Sequence, residues 1–227
     1  MTYPHSTAAA APPLVRTGAD RATLVRRTYT LVLVSVFVTI AGAAFGFAQP
    51  RVMAAAANNR LLMFFLMLAP LFLALRTRTA FPANIGFVLL FTFLEGIWIS
   101  PILWVYNQTA PGVVGQAGLL TASAFAVLTG YAFISRRDFS AWGGFLTVGL
   151  WVLIGTALLN FFFQNETASL WIASVGVLLF SGLLIFDTWR LRNQYGPDDY
   201  VQAAVAIYLD LLNMFLFLLR LLGGRRS

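Results

Sequence analysis

The sequence predicts an all-α, polytopic membrane protein, a bundle of seven transmembrane helices, and two observations carry that prediction. The 227-residue chain is 59% hydrophobic and only 10% charged, whereas soluble domains are about 45–50% apolar and ~25% charged. Its apolar residues also fall into seven runs, each close to the ~20 residues (range ~17–25) that a spanning helix needs. There is no Cys, and the lone His is His5. A disulfide framework, a thiolate metal site and an intramembrane His relay are therefore excluded. All fifteen basic residues are Arg, and the net charge is +7. In so apolar a chain this reads as Arg at helix ends orienting the protein and touching anionic membrane lipid, not as nucleic-acid binding.

Residues 1–22 are Ala/Pro-rich and polar and are expected to form a disordered cytoplasmic tail. The transmembrane domain is expected over 23–227. Within it, "RRTYT" at 26–30 superficially resembles a twin-Arg signal. The apolar run that follows, 29–48, is longer than a signal's ~7–15-residue core, so it reads as the first span. The spans are expected near 28–48, 60–76, 83–105, 113–134, 141–163, 169–194 and 200–222. The connectors are short and marked by Pro, Gly, Asn or Arg ("AQPR", "RTRTAFP", "YNQTAPG", "SRRDFS", "QNETAS", "YGPDDY"). Short links imply antiparallel neighbours in one bundle. The sixth span is carried past Phe186, because its stop signals, Gly196 and Pro197, come later. Arg190 and Arg192 are expected to snorkel to the headgroups. Asp198 or Asp199 is expected to cap the seventh span.

Arg counts set the orientation. Ten Arg lie on the side of the N-terminal tail and five on the other side, which makes the N-terminus cytoplasmic. The C-terminal Arg220, Arg225 and Arg226 then lie on the outer side, against the rule; a re-entrant last segment would remove that conflict. The protein is expected in the bacterial plasma (inner) membrane.

Three acids fall inside predicted spans: Glu95, Asp187 and Asp210. Acids at bilayer depth cost at least ~2.5 kcal/mol and mark function by default. At 1.5 Å per residue, Asp187 lies about 10 Å inside one end of the sixth span and Asp210 about 15 Å inside the seventh. The two helices are neighbours, so the carboxyls can meet, and Asn213 could add a hydrogen bond. Two carboxylates away from water do not both ionise cheaply, so a touching pair shares one proton. Such a pair is a proton-sensitive switch built without histidine. If both protons leave, the pair needs a cation, either Arg or Ca²⁺, which favours carboxylate oxygen. The alternative is a neutral acid that only packs helices. For Glu95 that reading stands beside a role in an ion path. Gly42 and Gly46 form a GxxxG, read as close helix packing.

No phosphate-binding glycine loop is present, and no Ser–His pair can form within the membrane. The contexts Phe186-Asp187 and Leu209-Asp210 do not match those of an intramembrane aspartyl protease. The protein is therefore expected not to be an enzyme and to need no cofactor beyond Ca²⁺ as a transported or bound ion.

"FDTWRLRNQYGPDDYVQAAVAIYLDLLNMFLFLLRLLGG" resembles the C-terminal signature of the Bax inhibitor-1 (transmembrane Bax inhibitor motif) family, with its bacterial YccA-like and YetJ-like members. "FTFLEGIWISPIL" resembles the family's third helix, and "FISRRDFSAWGGFL" its fourth-to-fifth-helix turn. The resemblance covers about 24–224. It implies a seven-helix fold with the last helix central and a pH-sensitive calcium leak. It implies that Asp187 and Asp210 sense protons and that an Arg ending the second helix latches the closed state. Arg78 is the first candidate for that latch and Arg76 the second. Some members carry a Glu in the second helix; here 60–78 has none, and Glu95 stands on the third. A Ca²⁺/H⁺ exchanger using the same acids is an alternative. So is a non-conducting modulator of a membrane-bound protease or of a stress response, as some members are.

Overall fold

The computed structural model describes residues 18–77 and 80–224. Among these it is all-helical, with eight helices: α1 (Gly18–Ala48), α2 (Pro50–Asn58), α3 (Arg60–Arg76), α4 (Ala83–Thr109), α5 (Val113–Ile134), α6 (Trp142–Phe163), α7 (Glu166–Asn193) and α8 (Tyr200–Gly223). Helix α1 starts at Gly18, so residues 18–22 belong to it and not to the expected tail; residues 1–17 lie outside the described residues.

Six helices are long and apolar enough to cross a membrane: α1, α4, α5, α6, α7 and α8. The seventh expected crossing is α3, whose 17 residues stand at the short end of the ~17–25 that suffice. It follows α2 at a bend of 100°. The sequence reading treated α2 as a connector. Pro50, at a helix start where a missing N–H costs nothing, begins it. Asn59, with φ −120° and ψ 46°, then breaks the helical path before α3. Helix α8 is unbroken over its 24 residues and is long and apolar enough to cross.

The tightest packing is between α1 and α4. The buried residues of α1 include Leu24, Thr28, Leu31, Ser35, Thr39, Gly42 and Gly46, which recur every three or four positions and so form one face, with Val32 and Ala43 beside it. On that face a Cβ at Gly42 would strike the Phe93 carbonyl, and one at Gly46 the Ser100 hydroxyl. From the other side, a Cβ at Gly96 would strike the Thr39 carbonyl. The GxxxG therefore lets two backbones approach closely, the usual role of small residues in lipid.

Helix α8 is central: it touches α1, α3, α4, α5 and α7. Its fully buried Val201, Ile207, Met214 and Leu219 lie in the core. By contrast, α6 touches α7 alone and exposes most of its apolar surface, as a lipid-facing helix does. Buried hydroxyls bond back to their own helices, Thr39 to Ser35 O (2.9 Å) and Thr121 to Ala117 O (2.7 Å). Such internal pairing satisfies these hydroxyls without water.

The Arg192 guanidinium, expected to snorkel, has protein partners that the sequence reading did not foresee. It donates to the carbonyls of Phe133 (2.7 Å) and Ser135 (3.0 Å) at the C-terminal end of α5. A cation there satisfies orphan carbonyls and meets the negative end of the helix. Arg192→Ala is expected to lower stability by about 2 kcal/mol, the scale of hydrogen bonds to a charged group. Thermal unfolding of the purified protein in detergent would read this as a lower midpoint, while Arg192→Lys would recover part of it.

Candidate functional site

Helices α7 and α8 form an antiparallel pair joined by the turn at Gly196 and Pro197. The Asp199 carboxylate accepts from the Gly196 N–H (2.8 Å). Asp199 occupies the N-cap position of α8, but its side chain makes no cap bond, because it closes this turn instead. The short link sets the register, and Asp187 and Asp210 arrive within hydrogen-bonding reach of one another. Both are buried, at 8% and 5% exposed. The expected meeting of these two carboxyls is what the geometry shows.

Their surroundings differ. Asp187 Oδ1 accepts from the Arg190 guanidinium at 3.0 Å, an i,i+3 pair on α7. That guanidinium also lies over the Tyr195 ring (4.8 Å) and the Phe186 ring (5.6 Å). Burial pushes the Tyr195 phenol up to about 12, with the Asp187 charge adding to it. The ring therefore stays neutral beneath the cation. Asp210 has no such support: its Oδ2 is buried and has no hydrogen-bond partner among the described residues.

The remaining candidates fall elsewhere. Arg76, the second latch candidate, is exposed at the end of α3, and the described ion partner of Asp187 is Arg190. Arg78, the first candidate, lies outside the described residues. The Asn213 amide does not bond to Asp210; it donates to the Leu209 carbonyl of its own helix (2.8 Å). Glu95 is buried but faces a different side of α8, with its Oε2 3.0 Å from the Tyr208 hydroxyl. Tyr208 and Asp210 are two residues apart, roughly 200° around the helix. No group of three or more His, Cys, Asp or Glu that could hold a metal occurs among the described residues.

Sequence reasoning missed Arg190 as the partner of Asp187 and Tyr208 as the partner of Glu95. The first had a signal, since an acid and an Arg at i,i+3 meet on a helix face. The second had none, because Tyr208 and Glu95 are far apart in the chain.

A many-helix apolar bundle whose central last helix carries a buried acid against the preceding helix defines a class, the integral membrane proteins with an intramembrane acid pair. The chain matches the family model described as "Inhibitor of apoptosis-promoting Bax1" over residues 21–227, and it belongs to the Bax inhibitor-1 family. It is similar to the Golgi anti-apoptotic protein of Vaccinia virus, 41% identical over 141 residues, 62% of this chain and 58% of that one. Bax inhibitor 1 of Schizosaccharomyces pombe is 34% identical over 164 residues, 72% of this chain and 60% of that one. An uncharacterized protein of Campylobacter jejuni is 31% identical over 207 residues, 89% of each chain. The match thus spans about three fifths of the viral and fission-yeast proteins and nearly all of the bacterial one.

Proposed function

We propose that the protein is a proton-sensitive leak for calcium across the bacterial inner membrane, with its N-terminus cytoplasmic, in which Asp187 and Asp210 hold a common proton and gate the path. The observation that carries this reading is the contact of two buried carboxyls from consecutive helices, one bearing an oxygen without a donor. Losing the shared proton leaves two like charges facing each other in a water-poor interior, and these repel. The groups that face the pair are Arg190 and Tyr195. Arg190 steadies Asp187, so the excess charge falls on the contact between α7 and α8. Two carboxyls supply too few oxygens for a resident Ca²⁺, which takes about 6–8. Calcium is therefore cargo in this reading.

The test is calcium flux into proteoliposomes across pH, for the wild type, Asp187→Asn and Asp210→Asn. A one-proton gate changes its open population by up to about tenfold per pH unit, since one unit is ~1.36 kcal/mol. Each Asn variant is expected to flatten that dependence. An unchanged pH profile in both variants would sink the reading. The similarity to a viral anti-apoptotic protein favours a second reading, a non-conducting membrane modulator. Wild-type vesicles without calcium flux at any pH would select it.

A further inference from the structure

The third buried acid, Glu95, ends a chain of contacts that crosses three helices. The Tyr208 hydroxyl on α8 is 3.0 Å from Glu95 Oε2 on α4. The same hydroxyl is 2.7 Å from Thr39 Oγ1 on α1. Thr39 Oγ1 in turn is 2.9 Å from the Ser35 carbonyl oxygen. All three distances are hydrogen-bond distances. Three bonds need three hydrogens. The carbonyl has none to give, and each hydroxyl has one. Thr39 and Tyr208 together therefore supply two. With Glu95 ionised, one of the three contacts would be two oxygens facing each other without a hydrogen between them. With a hydrogen on Glu95, the chain closes in one direction: Glu95 donates to Tyr208, Tyr208 to Thr39, and Thr39 to the Ser35 carbonyl.

We propose that Glu95 is a resident proton site, a neutral carboxylic acid that completes a donor chain tying α4 to α8 and α1, separate from the aspartate pair on the opposite side of α8. Among the described residues its surroundings supply no cation that would favour the charged form. Helix α4 packs against α1, α2, α3, α5 and α8. The titratable group that touches Glu95 is Tyr208. On α1 the described charged residues Asp20, Arg21, Arg26 and Arg27 are exposed near its start; Arg51 on α2 and Arg60 and Arg76 on α3 are exposed; α5 has no charged residue. On α8, Arg220 is exposed, and Asp210 faces Asp187. The ring of Tyr208 is itself fixed edge-on against Phe91, with centroids 6.2 Å apart, so the hydroxyl is held in place for both neighbours. A cavity of about 600 Å³ between α1 and α5 borders this chain and is lined by Thr39 and Tyr208 among mostly apolar side chains.

The proposal is independent of ion movement, and so is its test. The full-length protein, reconstituted in phosphatidylethanolamine–phosphatidylglycerol vesicles near neutral pH, is examined by difference infrared spectroscopy. Glu95→Gln is expected to remove the intensity of one carboxylic-acid carbonyl stretch. Asp210→Asn is expected to leave that intensity in place. Tyr208→Phe removes the acceptor, and the Glu95 band is expected to move to higher frequency, a shift that loss of packing alone would not cause. Glu95→Gln keeps a donor toward Tyr208, so its thermal midpoint is expected to stay at the wild-type value, while Glu95→Ala lowers it. A carboxylic-acid region unchanged by Glu95→Gln, with a carboxylate band lost instead, would overturn the assignment.

Discussion

Gly96→Val is expected to leave little correctly folded protein. The Cβ alone would meet the Thr39 carbonyl, with the Ala43 backbone nitrogen at 2.9 Å and the Gly42 Cα at 3.0 Å. All three are backbone atoms of α1, so no side chain can turn aside. The helices would have to separate along their whole contact. That would unseat the Phe91 and Val88 layer behind it and pull Thr39 from Tyr208. Overpacking a core costs typically ~1–3 kcal/mol, and a clash of backbone with backbone belongs at or beyond the top of that range. The control is Gly155→Ala on α6, where an added Cβ meets nothing within 4 Å. It is expected to be neutral or mildly stabilising, by about 0.5–1 kcal/mol, because Ala is the better helix former. Monodisperse yield and thermal midpoint in detergent compare the two. A Gly96→Val protein as stable as the control would show that the α1–α4 contact is looser than described.

Arg190→Gln is expected to be the most damaging change at the site, and Asp187→Asn is expected to rescue it. The Asp187 side chain is 11% exposed and that of Arg190 31%, so the pair is largely, not wholly, withdrawn from water. Breaking a buried pair by removing one partner costs ~3–5 kcal/mol, because the other charge is left uncompensated. The partial exposure of Arg190 puts the expected loss near 3 kcal/mol on that scale. With Asn at 187 no charge is left behind, so the double variant should recover most of the loss. A double-mutant cycle on thermal stability measures this coupling directly. Purely additive losses would mean that the 3.0 Å ion pair contributes nothing.

The spans were legible because membrane helices are long and apolar, and the observed ends fall close to the expected ones for α3, α5 and α6. The α7–α8 acid pair was legible for a different reason. A short connector with a late stop signal fixes the relative depth of two antiparallel helices, and depth alone brought Asp187 opposite Asp210. What depth cannot supply is azimuth. Asn213 lies one turn from Asp210, yet its amide turns to Leu209 O. Glu95 lies in the same bundle, yet faces the other side of α8. Arg190 and Arg192 read as headgroup anchors because long Arg side chains near helix ends usually are. Here each found a nearer partner, a carboxylate one turn back and the end of α5. Helix α2 escaped notice because nine residues rich in Ala carry no spanning signal, and only the bend at Asn59 sets it apart.

The attachment of α6 to α7 and to no other helix has a consequence for the shape the protein presents to its lipids. Helix α7 carries one of the two aspartates, so in the proposed gate α6 would be an outrigger on the part that moves. If repulsion between the acids tilts α7 away from α8, α6 would swing with it through fluid acyl chains, while the Arg192 bonds to the end of α5 and the Tyr29–Thr188 contact with α1 resist the motion. A displacement that begins between two carboxyl oxygens is thereby transmitted to the outline of the molecule in the plane of the bilayer, where lateral pressure can oppose or assist it.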